Sequence, residues 1–298
     1  MKPAEQSVSP LAAGLYVVAT PIGNLEDITL RALRVLKAAD LIACEDTRHT
    51  QKLLNHYGVT TRTVSYHEHN EAARAEELVR DLEKGLRIAL VTDAGMPGIS
   101  DPGYRVIAKA IEHGISVVPI PGASAFVAAL AASGLPTDSF EFHGFLPAKS
   151  GQRRQVLEAI KDSQLTQVFY EAPHRVREAV EDVVEILGAH RTVVIAREVT
   201  KVHEEFRRGN AGTVLEALNA PSEVKGEITI LIGKSAGAEI SVVEGDSPAA
   251  QPRQQSIRQR IAQLIADEKL DEKAALKKVA KERGISKSEA YREWQRSK

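Results

Sequence analysis

Residues 15–135 alternate short apolar runs with longer amphipathic stretches, and this alternation constrains the fold more than any other feature. The apolar runs are "LYVVAT", "LIACE", "RIALVT" and "ISVVPI", and stretches with helical spacing such as "ITLRALRVLKAA" and "GYRVIAKAIEHG" stand between them. Strands that alternate with helices form βα units, which build a parallel sheet covered by helices on both faces. The pattern therefore predicts an α/β domain with a mostly parallel sheet over residues 14–135.

A second α/β domain is predicted over residues 136–233, with a different pattern. Its strands are "FEFHGFLP", "TQVFYEA", "TVVIARE" and "GEITILIG", and its helices fall near 151–161 and 174–187. One helix-linked pair of strands is followed by strands without long helices. This arrangement favours a mixed sheet over another parallel one.

The last part of the chain is predicted to be a linker followed by a small helical module. Residues 234–252 are rich in Gly, Ser, Ala and Pro, which is typical of a flexible linker. Residues 253–298 contain three short helical stretches and thirteen Lys or Arg against seven Asp or Glu. Gly284 ends the second stretch and Ser286 caps the third, a pattern that resembles a helix-turn-helix module.

The basic surplus of that module indicates nucleic acid as a partner. On or near its last helix we expect Lys287, Arg292 and Arg296 to neutralise phosphates, with an affinity that falls as salt rises. Trp294 is expected to anchor the small core of the module, with stacking on a base as the alternative. A charged tail that only mediates dimer contacts is the alternative.

Other features argue against a membrane or secreted protein. Residues 114–137 carry no charge over more than a membrane-spanning length, but five helix-breaking residues divide them into a buried strand and a helix of small residues: Pro119, Pro121, Gly122, Gly134 and Pro136. The N-terminus lacks a signal-peptide layout, and the single cysteine, Cys44, cannot form an intramolecular disulfide. We therefore expect a cytoplasmic protein.

Three loops at predicted strand ends are unusually rich in Gly, Pro and small polar residues. They are "ATPIGNLED" (19–27), "TDAGMPGISDPG" (92–103) and "PIPGASA" (119–125). Ligands bind at the carboxyl ends of parallel strands, and glycine lets the backbone approach a ligand closely. One such loop is explained by a tight turn with a helix cap, but three together predict a binding site for a polar ligand. Neither a G-x-G-x-x-G fingerprint nor a P-loop is present.

Seven motifs, in order, resemble those of the tetrapyrrole methylase superfamily, and in particular its ribosomal branch. They are "ATPIGNLEDIT", "CEDTRHT", "VTDAGMPGISDPG", "PIPGASA", "FHGFLP", "FYEAPHR" and "GEITILI", within residues 14–233. The resemblance implies a two-domain α/β homodimer that holds S-adenosylmethionine in the cleft between its domains. It also implies an acceptor, the ribose 2′-oxygen of a cytidine in the decoding region of 16S rRNA, as free RNA or within the small ribosomal subunit.

The resemblance further implies contacts to S-adenosylmethionine from the three loops and from two later strands. They are Thr20, Pro21, Asp93, Gly95, Met96, Gly98, Ser124, Ala125, Phe169, Tyr170, Glu227 and Thr229. Asp93 would orient the α-ammonium or the ribose hydroxyls. Ser124 and Ala125, at a helix start, would offer N–H groups to the carboxylate. Phe169 and Tyr170 would enclose the adenine, with core packing as the alternative for Phe169.

The acceptor hydroxyl needs a group that takes its proton. Methyl transfer from a sulfonium is an in-line displacement without metal or covalent intermediate, and alignment of the reactants is worth roughly 7–11 kcal/mol. A ribose hydroxyl is nevertheless a poor nucleophile until its proton leaves. Two motifs supply candidate groups: Glu45, Asp46 and Arg48 in "CEDTRHT", and Glu171, His174 and Arg175 in "YEAPHR".

These candidates have structural alternatives, which the sequence leaves open. Asp46 or Thr47 is suited to cap the following helix, and His174 to pair with a helix terminus. In "EVTKVHEEFRRG", Lys201 and Arg207 are expected to contact RNA or to close the site, but a solvated charged segment is an equal interpretation.

Two other functions are compatible with the same motifs. A methylase of a small tetrapyrrole would share the cleft but has no need of a basic tail. A ligand-sensing regulator that binds DNA would use the tail but leaves the clustered acidic and basic groups at two strand ends unexplained.

Overall fold

The computed structural model describes residues 10–219, 224–235 and 274–278. The chain divides into one compact unit that ends at Glu239 and a second that begins at Ile240. The described part of the second unit, 274–278, is helical, with Ala275 and Leu276 buried. The predicted linker beyond residue 235 and the rest of the basic module, including Lys287, Arg292, Trp294 and Arg296, lie outside the described residues.

The first half of the large unit is built around a parallel sheet. Its strands and helices are β1 (Gly14–Val18), α1 (Leu30–Ala38), β2 (Leu41–Cys44), α2 (Thr47–His56), β3 (Thr63–Ser65), α3 (Glu71–Glu83), β4 (Arg87–Leu90), α4 (Tyr104–Glu112), β5 (Val117–Ile120) and α5 (Ala125–Ser133). The strand order is β3-β2-β4-β1-β5, and every pair is parallel. The predicted α/β architecture with a parallel sheet is confirmed for this half.

Two elements of this half were missed in the sequence. Strand β3 is only three residues long and lies at the edge of the sheet, so it has no apolar run to reveal it. Helix α3 is rich in charge, and its buried stripe consists of only four residues: Ala75, Leu78, Val79 and Leu82. Together they complete the βα alternation between residues 57 and 86.

The second half contains the predicted mixed sheet. Its elements are β6 (Phe140–Phe145), α6 (Ser150–Ala159), β7 (Thr166–Glu171), α7 (Val176–Leu187), β8 (Thr192–Arg197), β9 (Glu205–Asn210), α8 (Ala211–Leu218) and β10 (Ile228–Ile232). The order is β6-β7-β10-β8-β9. Only β6 and β7 pair in parallel; the other pairs are antiparallel.

Helix α5 joins the two halves. It follows β5 of the first sheet, but its buried residues Ala129 and Leu130 pack with Val168, Val194 and Leu231 of the second sheet. Of the residues of α5, only Ala129, Leu130 and Ser133 are buried, and Val127 is 52% exposed, so the packing covers one side of this apolar helix. Within the described ranges, no helix combines the length and apolar character needed to cross a membrane.

Candidate functional site

A cavity of about 280 Å³ opens between the two sheets of the large unit. The first half contributes the loop after β4 and the start of α5, with Gly95, Met96, Ser124 and Ala125 among the lining residues. The second half contributes the end of β7 and the start of β10, with Tyr170, Glu171, Glu227 and Thr229. Eight residues singled out in the sequence therefore meet in one cavity.

The loop after β4 is fastened to the loop after β1 at the edge of this cavity. The Thr20 N–H donates to the Gly95 carbonyl (2.9 Å), and the Gly95 N–H donates back to the Thr20 carbonyl (3.0 Å). Gly95 has a φ of +82°, a left-handed conformation that favours glycine. Thr20 and Pro21 are buried and do not line the cavity, so their part is to support the loop that does.

The N-terminus of α5 presents backbone N–H groups at the cavity. Ser124 is the N-cap in an extended conformation, and its side chain makes no capping hydrogen bond. The Phe126 N–H donates to the Tyr170 hydroxyl at 3.3 Å. Because the first N–H groups of a helix lack partners within the helix and carry partial positive charge, this end suits a carboxylate.

An aromatic and apolar wall faces that helix end. The ring of Tyr170 contacts Phe145 and Phe142, with centroid separations of 5.5 and 5.0 Å. Burial raises the pKa of Tyr170 above its ordinary value. Met96 and Ile228 extend the apolar lining. A flat aromatic ring of a ligand fits against such a wall.

Phe169 does not take part in this wall, and the expectation that it encloses adenine is corrected. Neighbouring residues on a strand point to opposite faces of the sheet, so Tyr170 faces the cavity and Phe169 faces the core. Phe169 is 1% exposed and stacks on His143 with a centroid separation of 4.7 Å. The alternative of core packing is the one that the structure shows.

Glu171 is a buried carboxylate, and one of its two oxygens accepts no hydrogen bond from the described residues. Its Oε1 accepts hydrogen bonds from the Ala172 N–H (2.7 Å) and the Arg175 Nε (2.8 Å), and it pairs with Arg175 Nη2 (2.7 Å). Its Oε2 is buried without a hydrogen-bond partner, although the residue lines the cavity. A buried acceptor oxygen of this kind is available for a hydrogen bond from a bound ligand. His174 is exposed and does not line the cavity.

The motif "CEDTRHT" contributes a helix cap. The Asp46 carboxylate accepts from the Arg48 N–H (2.8 Å) and pairs with the Arg48 guanidinium (3.0 Å). Hydrogen bonds from Arg48 lower the pKa of Asp46 to about 2. Neither residue lines the cavity, so the structure corrects their assignment as proton-transfer groups in favour of the capping role.

Further carboxylates gather where β2 and β4 end. The Thr92 hydroxyl donates to Glu45 Oε2 (3.1 Å), and the Asp46 N–H donates to Asp93 Oδ1 (3.3 Å). Asp101 lines the cavity beside them. Burial, together with the negative charges of Glu45 and Asp93, raises the pKa of Asp101 to about 6. Asp101 was not among the predicted site residues, although it lies inside the loop 92–103.

Two expected contacts of that loop do not reach the cavity. Asp93 is engaged with the Asp46 backbone, and neither Asp93 nor Gly98 is among the lining residues. A Cβ on Gly98 would lie 3.5 Å from Ile107 of α4. Gly98 has a φ of +82°, so it serves the turn into that helix.

A charged turn contacts the cavity residue Glu227. The Lys201 Nζ lies 2.9 Å from Glu198 Oε1 and 3.2 Å from Glu227 Oε2, and the Glu227 N–H donates to Glu198 (2.9 Å). Glu198 and Thr200 have positive φ angles, 52° and 71°. Lys201 therefore lies beside a cavity residue. Arg207, on β9, pairs with Glu205 (2.7 Å) and does not line the cavity.

Known proteins resemble this chain in sequence. The family described as Tetrapyrrole (Corrin/Porphyrin) Methylases matches residues 14–215. The chain is 49% identical over 283 residues to the ribosomal RNA small subunit methyltransferase I of Halalkalibacterium halodurans, and the aligned region covers 93% of each protein. It is 49% identical over 228 residues to the protein of the same name from Escherichia coli O157:H7, and this aligned region covers 76% of this chain and 80% of that protein.

Solved structures resemble it in fold. Diphthine synthase superposes with a TM-score of 0.58 at 16% identity, over 74% of this chain and 89% of that one. The uroporphyrin-III-C-methyltransferase from Thermus thermophilus gives a TM-score of 0.53 at 21% identity, over 76% of this chain and 96% of that one. At such identities the likeness concerns the fold alone.

Proposed function

We propose that this chain, which belongs to the tetrapyrrole methylase family, methylates the 2′-oxygen of a cytidine in the decoding region of 16S rRNA. Within that family it belongs to the branch of the ribosomal RNA small subunit methyltransferases I. It is a methyltransferase that uses S-adenosylmethionine. We further propose that it acts as a homodimer in the cytoplasm, as the resemblance of its motifs implies.

The observation that carries the proposal is the match between the cavity and the methyl donor. The N-terminus of α5 at Ser124 and Ala125 suits the donor's carboxylate. The unpartnered Oε2 of Glu171 suits a hydrogen-bond donor of that molecule, such as its ammonium or a hydroxyl. The wall around Tyr170 suits the adenine. S-adenosylmethionine supplies a methyl group activated by its sulfonium, and these residues would hold it in place.

The basic surplus of residues 253–298 supports an RNA acceptor over a small tetrapyrrole. The relative from Halalkalibacterium halodurans, whose name specifies ribosomal RNA, matches 93% of this chain, so the similarity extends into residues 253–298. That segment carries thirteen Lys or Arg against seven Asp or Glu. A basic surplus of this kind favours binding to the many phosphates of an RNA.

The proposal is tested by following the methyl group. The protein is incubated with radiolabelled S-adenosylmethionine and, separately, with small ribosomal subunits, naked 16S rRNA or a tetrapyrrole, and the labelled atom is mapped. Label on a ribose 2′-oxygen of one cytidine is expected. Label on a base, label on the tetrapyrrole or no transfer would contradict it.

A further inference from the structure

Three carboxylates line the cavity among the residues that the structure describes: Asp101, Glu171 and Glu227. Glu171 is paired with Arg175, and Glu227 with Lys201. Asp101 forms no ion pair with any described residue. A carboxylate held by a cation is a weak base, because the cation stabilises its charged form. Asp101 therefore differs from the other two in having no cation beside its carboxylate among the described residues.

The loop that carries Asp101 is held against both halves of the unit. Gly103, two residues later, donates its N–H to the Glu71 carboxylate of α3 (3.2 Å). Ser100, just before it, has a φ of +60° and lies against Gly144 of β6, where an added Cβ would come within 3.2 Å of the Ser100 Oγ. Non-glycine residues in this conformation occur where the surroundings impose it, often at functional sites.

The neighbours of Asp101 favour its protonated form. Glu45 and Asp93 face it from the ends of β2 and β4, and its charge also acts on Tyr170 of β7. Burial and the two carboxylates together raise the pKa of Asp101 to about 6. A base with such a pKa is ionised at neutral pH and still binds a proton readily.

We propose, on the basis of the function proposed above, that Asp101 is the general base that takes the proton from the acceptor ribose hydroxyl. The 2′-oxygen forms a bond to the methyl carbon as its proton passes to a carboxylate oxygen of Asp101. The bond from that carbon to sulfur breaks, and its electron pair stays on sulfur as a neutral thioether. The Asp101 carboxylic acid then releases its proton to water.

The remaining candidates for this step are less suited to it. Asp46 is engaged as the cap of α2 and is paired with Arg48 outside the cavity. Glu45 accepts the Thr92 hydroxyl and does not line the cavity. His174 is exposed, and it too does not line the cavity. The negative charge of Glu45 instead contributes to the raised pKa of Asp101.

The test compares Asp101→Asn with the wild-type chain on small ribosomal subunits. A matched control is Asp138→Asn, since Asp138 is exposed and does not line the cavity. We expect kcat to fall by about 10²- to 10⁴-fold in Asp101→Asn, while the calorimetric Kd for S-adenosylmethionine stays within about two-fold. The control is expected to behave as wild type.

The pH dependence of kcat/KM supplies a second readout, because it reports the base of the free enzyme. In the wild type it is expected to rise with pH and level off above about pH 6, and Asp101→Asn is expected to lose this inflection. Should the Asn variant not fold, as judged by circular dichroism, the wild-type profile decides alone. Its lacking an inflection near that pH would overturn the inference.

The same assay separates the inference from the function on which it rests. A wild-type chain that labels an atom other than a ribose 2′-oxygen overturns both. A wild-type chain that labels the 2′-oxygen, with an Asp101→Asn variant of equal kcat and an unchanged pH profile, overturns the role of Asp101 alone.

Discussion

Replacing Asp101 by Asn is expected to stabilise the fold. Burial and the charges of Glu45 and Asp93 raise the pKa of Asp101 from its ordinary 3.8 to about 6 in the folded chain. A difference of about two pKa units corresponds to roughly 3 kcal/mol, at about 1.4 kcal/mol for each unit. Asp101 is only partly buried, so solvent screening reduces the expected effect to about 1–2 kcal/mol.

The sign of this effect depends on pH. Because the folded chain binds the Asp101 proton more tightly than the unfolded chain, the wild type has its full stability only below the unfolded pKa of 3.8. It loses stability as pH rises through about 6 and stays level above that pH. The Asn variant has no such loss. The free energies of unfolding of the two chains are therefore expected to differ little near pH 4 and by the full 1–2 kcal/mol, roughly, near pH 8.

Urea denaturation, followed by circular dichroism at several pH values, measures this difference. Asp138→Asn is the neutral control. Asp40→Asn is a control of opposite sign, since hydrogen bonds from Arg87 lower the pKa of Asp40 to about 2, and its loss should cost stability at neutral pH. If Asp101→Asn is no more stable than wild type near pH 8, or if its advantage does not change with pH, the described environment of Asp101 is wrong.

Four further predictions concern the cavity, the core and the tail. Gly95→Val should abolish the rise in melting temperature that S-adenosylmethionine produces, because Gly95 has a left-handed φ and lines the cavity; an unchanged rise would refute it. Tyr170→Leu should raise the calorimetric Kd for S-adenosylmethionine by about ten-fold, from the loss of aromatic contact, whereas an unaltered Kd would remove Tyr170 from the site. Asp182→Ala should lower the free energy of unfolding by about 3 kcal/mol in urea denaturation, because the buried Arg153 guanidinium loses its close partner at 2.6 Å and keeps only the exposed Glu178 carboxylate at 3.7 Å; a loss below about 1 kcal/mol would contradict this. Deletion of residues 253–298 should weaken binding to 16S rRNA and flatten its dependence on salt without changing the Kd for S-adenosylmethionine, and equal RNA affinity at every salt concentration would count against a role for the tail.

Much of the fold follows from the sequence because the two sheets leave different patterns. Buried parallel strands are continuous apolar runs: β1 and β2 are buried throughout, and β4 is buried after its first residue, Arg87. Between them, helix α1 has the amphipathic spacing that a surface helix needs. Edge strand β3 and the highly charged helix α3 escaped detection, because neither needs many apolar residues.

The site was predictable in outline but not in detail. The three loops rich in Gly and Pro located it, since strand order brings the ends of parallel strands to one edge. Whether Phe169 or Tyr170 faces the cavity depends on the register of β7, which the sequence does not specify. The environment of Asp101 arises because β2 and β4 are neighbours in the sheet, which sets Glu45 beside a loop about fifty residues further along the chain.

The measurement that tests the account most directly is a crystal structure with S-adenosylhomocysteine, the product of methyl transfer. We expect the ligand in the cavity between the two sheets, with its carboxylate at the start of α5 and its adenine against Tyr170. The sulfur should lie on the side of the cavity that Asp101 lines. A ligand bound elsewhere, or a cavity closed by the side chains around it, would contradict the account.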